Sequence, residues 1–147
     1  MLETILNVLK DSWGWTGLDP EKIIKENEFG NLLILDRKGQ YWRLCPEDLY
    51  CEIIAINSDK LTVLLDDQDF IEDWEMKSLV DLAFERYGQL PDGRKYCLKI
   101  PGTLGGEYKL SNISTISFIE LIQYSGDVAL QIKDLPDGSK VQLKFID

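Results

Sequence analysis

The densest set of reactive side chains lies in DDQDFIEDWE, residues 66–75. Carboxylates this close can hold a hard cation. A calcium loop of the EF-hand kind, however, needs Gly at its sixth position and a bidentate Glu at its twelfth, and this stretch does not match. Acids interleaved with aromatic side chains also make a dock for Lys and Arg of a partner protein. Asp66, Asp67, Asp69, Phe70, Glu72, Asp73, Trp74 and Glu75 are therefore the candidate partner-binding residues. The competing reading is a solvated helix start, where acids complement the helix dipole.

Other sets promise less chemistry. GTLGGEY is glycine-rich, but no Gly-Lys-Ser/Thr follows and EYKLSN reads as extended. A tight turn fits better than a phosphate cradle, which needs amides aimed at the anion and usually a helix behind them. Trp13, Trp15 and Trp42 would make a ligand-stacking wall on one surface; near glycines and strands they read as packing. The pairs Glu47/Asp48 and Glu21/Glu26 have acid–base potential, yet nothing local points to shifted pKa values, and they read as solvated. Cys45, Cys51 and Cys97 are an odd, widely spaced set in apolar stretches. They read as buried reduced thiols, not as a disulfide framework or nucleophiles. The chain has no histidine, which removes the usual general base near neutral pH, Ser–His and Cys–His catalysis, and nearly every zinc site. No catalytic, metal or cofactor residues are assigned, and the chain is expected not to be an enzyme.

Charge placement is more informative. The net charge is −10. Residues 1–75 hold 17 acids and 7 bases, whereas residues 76–147 hold 9 of each. An acidic half repels nucleic acid phosphates and draws basic partners at long range. The runs RK at 37–38 and 94–95 are too short for a nucleic-acid patch. No apolar run reaches membrane length, and MLETILNVLKDSW lacks a basic n-region and a cleavage site. A cytoplasmic protein without membrane or direct nucleic acid contacts is expected.

The elements that must position these residues can be read from periodicity. Leu2, Ile5, Leu6 and Leu9 predict an amphipathic helix. LDPEKIIKENEFG predicts a second, short helix with Asp19 as N-cap and Pro20 in its first turn. NLLIL and QYWRLC flank DRKG as a hairpin, and YCEIIAI follows beyond Pro46 as a third strand. Residues 58–70 fit strand or helix, with helix preferred and Ser58 as its N-cap. Met76, Leu79, Val80, Ala83, Phe84 and Tyr87 form one helical face closed by Gly88. Ser117 and Glu120 make a capping box ahead of a further helix, in which Gly126 is a weak point. LPDG occurs twice, at 90–93 and 135–138, each time as a type I turn leading into a strand: RKYCLKI, with Tyr96, Leu98 and Ile100 on one face, and KVQLKFI, with Val141, Leu143 and Phe145. The repeat is scaffold. With 147 residues and no linker, the chain reads as one α+β domain over 1–147, a mainly antiparallel sheet with helices packed on it.

YCLKIPGTLGGEYKLSNISTISFIELIQYSGDVALQIKDLPDG, residues 96–138, resembles the C-terminal domain of bacterial type VI secretion immunity proteins. FGNLLILDRKGQYWRLCPEDL and DFIEDWEM are similar to that family more loosely. The resemblance implies an immunity or antitoxin role: binding and blocking a DNase effector, a basic protein, without catalysis or cofactor. It brings no catalytic residues. The alternative is a small-ligand-binding or regulatory module built on the Trp-rich N-terminal region.

Overall fold

A run such as LLIL, residues 32–35, apolar at every position, must be covered on both faces, and the architecture follows from that requirement. The structure, a computed structural model, describes residues 2–136 and 138–141. Helix α1 (Leu2–Trp13) precedes strands β1 (Pro20–Glu26), β2 (Leu32–Asp36), β3 (Tyr41–Cys45) and β4 (Tyr50–Ala55). Helices α2 (Ser58–Leu65), α3 (Gln68–Glu75) and α4 (Lys77–Tyr87) follow, then β5 (Arg94–Leu98), β6 (Ile113–Ser117) and α5 (Phe118–Ile132). The first four strands form an antiparallel meander in the order β1-β2-β3-β4, and β5 pairs antiparallel with β6 in a second small sheet. The fold is mixed α+β, with antiparallel sheets and helices packed against them.

Alternation sorts the meander into two faces. Leu32, Ile34, Trp42, Leu44 and Cys51 meet α1 and α5 through Leu9, Trp13, Phe118 and Ile122. On the opposite face, Leu33 and Ala55 pack under α2 and α3 through Leu61 and Trp74. A third cluster joins α4 to the small sheet through Leu79, Ala83, Tyr96, Leu98 and Ile113, with Phe29 from the β1–β2 loop.

The short helix expected at 19–29 is strand β1. Pairing overrides the capping signal: Ile23 lies opposite Ile34, and Pro20 stands at the first strand position, where proline is tolerated. Asp19 caps nothing; it lies 3.4 Å from Lys10 Nζ and 3.5 Å from Arg37 Nε. The N-cap of α2 is Asn57, whose side chain accepts from Lys60 N at 2.9 Å, and not Ser58. The segment EYKLSN is not extended; Leu110–Asn112 make a 3-10 turn. The first LPDG turn sits one residue later than expected. Arg94 N donates to Pro91 O, and Gly93 takes the third position at φ 85° while Asp92 keeps a negative φ, a type II pattern. Ser139 N donates to Pro136 O in the same way, with Gly138 at φ 83°. Ile100 lies beyond β5 and is exposed, unlike Tyr96 and Leu98. Leu143 and Phe145, expected in a last strand, lie outside the described residues, and Val141 has no strand assignment.

The hairpin with Gly39, strand β4, helices α1 and α4, and the Ser117 cap all form as expected. Gly126 has a stronger reason than tolerance. A Cβ there would run into the Ser12 carbonyl, whose carbon lies 2.9 Å away, so α1 and α5 approach each other only because this position is bare. Gly126→Ala should therefore lose about 1–3 kcal/mol to overpacking, outweighing the gain of about 1 kcal/mol in helix propensity. Thermal unfolding followed by circular dichroism reads this; an unchanged or raised Tm would contradict the close approach.

Candidate functional site

The acidic stretch straddles two short helices. Asp66 closes α2. Asp67 is the N-cap of α3, its Oδ1 accepting from Asp69 N at 2.9 Å and Phe70 N at 3.4 Å. Asp66, Asp67, Asp69, Glu72, Asp73 and Glu75 face solvent, whereas Phe70 is half-buried and Trp74 is 4% exposed. The apolar members thus face the sheet and leave the carboxylates as the outer surface. Phe70 and Trp74 stack at 6.2 Å, and the Arg43 guanidinium carbon lies 5.8 Å and 5.2 Å from their ring centroids. The cation that these aromatics hold comes from this chain's own β3.

Arg43 is the centre of a buried network. It is 5% exposed. Its Nε and Nη2 donate to Asn31 Oδ1 at 3.1 and 3.0 Å, and its Nη1 donates to Asp73 Oδ2 at 2.6 Å. Asn31 Nδ2 donates in turn to both oxygens of Glu47, at 2.9 and 2.8 Å. The Cys45 thiol donates to Glu47 Oε1 at 3.1 Å. Asn31 therefore relays between a buried cation and a buried carboxylate that do not touch. Tyr108 OH donates to Asp48 Oδ1, and Thr103 Oγ1 donates to the Asp48 carbonyl at 2.6 Å. Burial raises the Glu47 carboxyl above its ordinary range, although the Asn31 and Cys45 hydrogen bonds oppose it. Burial also raises the Cys45 thiol, with the Glu47 charge adding to it. The Tyr108 phenol is raised by burial and by its bond to Asp48.

Glu47 is therefore not the solvated residue expected of a Glu-Asp pair after proline. Its burial depends on Asn31, a donor 16 residues away in sequence. One signal was available: Tyr41, Arg43 and Cys45 alternate onto the face that α3 covers, and a cation at such a position requires acceptors. Glu21 and Glu26 are exposed as expected.

The remaining candidates are structural. Trp13 and Trp42 are in the core, and Trp15, partly exposed, stacks on Trp13 at 5.8 Å. The Trp42 indole donates to Asp36 at 2.8 Å. Burial pushes Asp36 upward, but hydrogen bonds from Trp42, Gln40 and Lys38 win and hold it below the usual carboxylate range. The glycine loop is a 3-10 turn whose Gly105 and Gly106 amides bond back to Gly102 and Pro101. Burial pushes the Cys51 thiol up to about 12 and Cys97 up to about 11. Among the described residues, no three His, Cys, Asp or Glu side chains are grouped to hold a metal, and no helix is long and apolar enough to cross a membrane.

A family described as T6SS immunity protein Tdi1, C-terminal, matches residues 55–129, from the end of β4 into α5. The chain belongs to this family. The acidic helices lie inside the matched span of the Tdi1 C-terminal family, while Asn31, Arg43 and Glu47 lie upstream of it. Among solved structures, Atu4351 from Agrobacterium tumefaciens is similar in fold, with a TM-score of 0.56 at 14% identity, covering 85% of this chain and 63% of that one. The chain thus spans less than two thirds of the solved relative's length. No curated protein matches.

Two expectations test the network. Asp73 keeps 69% of its side chain exposed, so Asp73→Asn should cost no more than about 1 kcal/mol. Arg43→Met removes the cation from beneath α3 and leaves the Asn31 oxygen without donors, which should cost about 3 kcal/mol or more. Urea midpoints separate the two; equal losses would contradict the relay. The second concerns pH. A carboxyl raised on folding is bound to its proton more tightly in the native state, so ionising it costs stability as pH climbs above the ordinary value of 4.5 through the folded value. Relative to the native protein, Glu47→Gln should gain stability as pH rises above 4.5. A difference flat across that range would contradict a raised Glu47.

Proposed function

We propose that this chain is a non-catalytic immunity protein that binds and blocks a basic toxin, a DNase-type effector of a type VI secretion system. The observation that carries the reading is membership of the Tdi1 C-terminal family over residues 55–129. Charge and geometry support it. The acids of α3 face outward over a ledge whose apolar side is already occupied, so the surface they offer is electrostatic. A nuclease that grips DNA is basic. A concentrated acidic face speeds the encounter and favours such a partner over neutral ones. Seated on the surface that such a nuclease uses for phosphates, it would make association and occlusion one event. In this reading the protein acts in the cytoplasm, with no cofactor and no turnover.

The interface centres on Asp66, Asp69, Glu72 and Glu75. Asp67 caps α3 and Asp73 holds Arg43, so these two also serve the fold. The test is calorimetric titration against a DNase-type effector of a type VI secretion system. Neutralising the four outer acids with Asp66→Asn, Asp69→Asn, Glu72→Gln and Glu75→Gln should preserve thermal stability. It should weaken binding by about 10- to 100-fold and flatten its salt dependence. Native affinity and salt slope in that variant would move the interface off α3.

A further inference from the structure

Beside α3 the surface opens into a cavity of about 150 Å³. Its lining includes the buried Arg43, Cys45 and Glu47 and the more exposed Asp48, Tyr50, Asp73 and Tyr108. Small-molecule sites run to about 300–1,000 Å³, so this volume is wrong for a metabolite. It suits one polar side-chain head. The lining carries three carboxylates against one guanidinium, and that guanidinium is already bound to Asn31 and Asp73. The cavity stays negative whether Glu47 is ionised or protonated. Its size and sign together select a single cationic head.

The site is built in advance. Asp48 is held through its carboxylate by Tyr108 and through its carbonyl by Thr103. Gly102 packs against this pair; a Cβ would meet the Tyr108 hydroxyl at 2.7 Å and the Asp48 carboxylate closer still. Among the described residues the non-glycine positions with positive φ are Leu49 at 55° and Met76 at 50°, and both border this cavity, Leu49 between Asp48 and Tyr50 and Met76 in the lining. Backbone in that region persists only where its surroundings over-determine it.

We infer that the cavity receives the guanidinium of one arginine from the bound protein partner, seated against Tyr50 and Tyr108 and paired with Asp48 and Asp73. Arginine fits better than lysine because a planar head stacks on the phenol rings and pairs bidentately with carboxylates. The inference rests on the reading of this chain as a binder of a basic protein, and it adds an anchor to a surface that otherwise only steers.

The test uses the whole chain and two probes, Nα-acetyl-arginine methylamide and its neutral citrulline counterpart, followed by NMR. The arginine probe should give saturable shifts at the Arg43 Nε–H and the amides of residues 48–50, with citrulline at least about tenfold weaker. Asp48→Asn with Asp73→Asn keeps the acceptors for Tyr108 and Arg43 but removes both charges, and should weaken the arginine probe at least about tenfold. If the pair does not fold, Asp48→Asn alone supplies the comparison. No saturable shift in the native chain, an equal citrulline response, or undiminished binding in the folded variant would overturn the inference. An effector that binds while the arginine probe fails here removes the anchor and leaves the immunity reading standing. An effector that does not bind removes the immunity reading, and the probe alone then decides what the cavity accepts.

Discussion

A guanidinium almost without solvent access needs acceptors on every side, and Arg43 sets this requirement at the middle of the sheet. Asn31 just ahead of β2, Asp73 from α3 and the rings of Phe70 and Trp74 meet it together. Each comes from a different part of the chain. The cation therefore fixes how the helical layer lies on the strands, more sharply than apolar contact alone would. It also decides which way α3 turns: with Phe70 and Trp74 drawn inward, the carboxylates have nowhere to go but out.

The same requirement reaches further through Asn31. Its amide oxygen serves Arg43 while its nitrogen serves Glu47, so a buried positive and a buried negative group share one neutral relay. Glu47 in turn engages the Cys45 thiol, and the adjacent Asp48 is gripped by Tyr108 and Thr103. The meander and the loop before β6 are linked by this chain of polar contacts. A surface that must present charge to a partner benefits from such a rigid base, because side chains held in place lose less freedom on binding.

Much of this was legible from local patterning. The continuous apolar run of β2, the Gly39 hairpin, the Ser117 cap and the inward face of α5 are set by neighbours a few residues away. β1 was not, because Asp19-Pro20 suits the start of a strand as well as a helix, and only pairing with β2 decides between them. The acidic stretch was found as a unit, but not its division into solvent-facing carboxylates and core-facing aromatics, since that depends on a cation far away at Arg43. Glu47 was hidden for the same reason: its donor, Asn31, lies in the connection ahead of β2, 16 residues away in sequence. Gly126 looked like a weak helix position because its purpose belongs to α1. Long-range partners, not local propensity, account for what the sequence conceals.

In the proposed function α3 is the face that meets a basic toxin, and the cavity beside it is the proposed anchor. Hydrogen–deuterium exchange of the free chain and of the chain mixed with a DNase-type effector of a type VI secretion system maps that face directly. Protection should concentrate on residues 66–75 and 46–50, and the turn at 91–94 should exchange as in the free chain. Protection confined to the charge-balanced half after residue 76, with α3 unchanged, would contradict it.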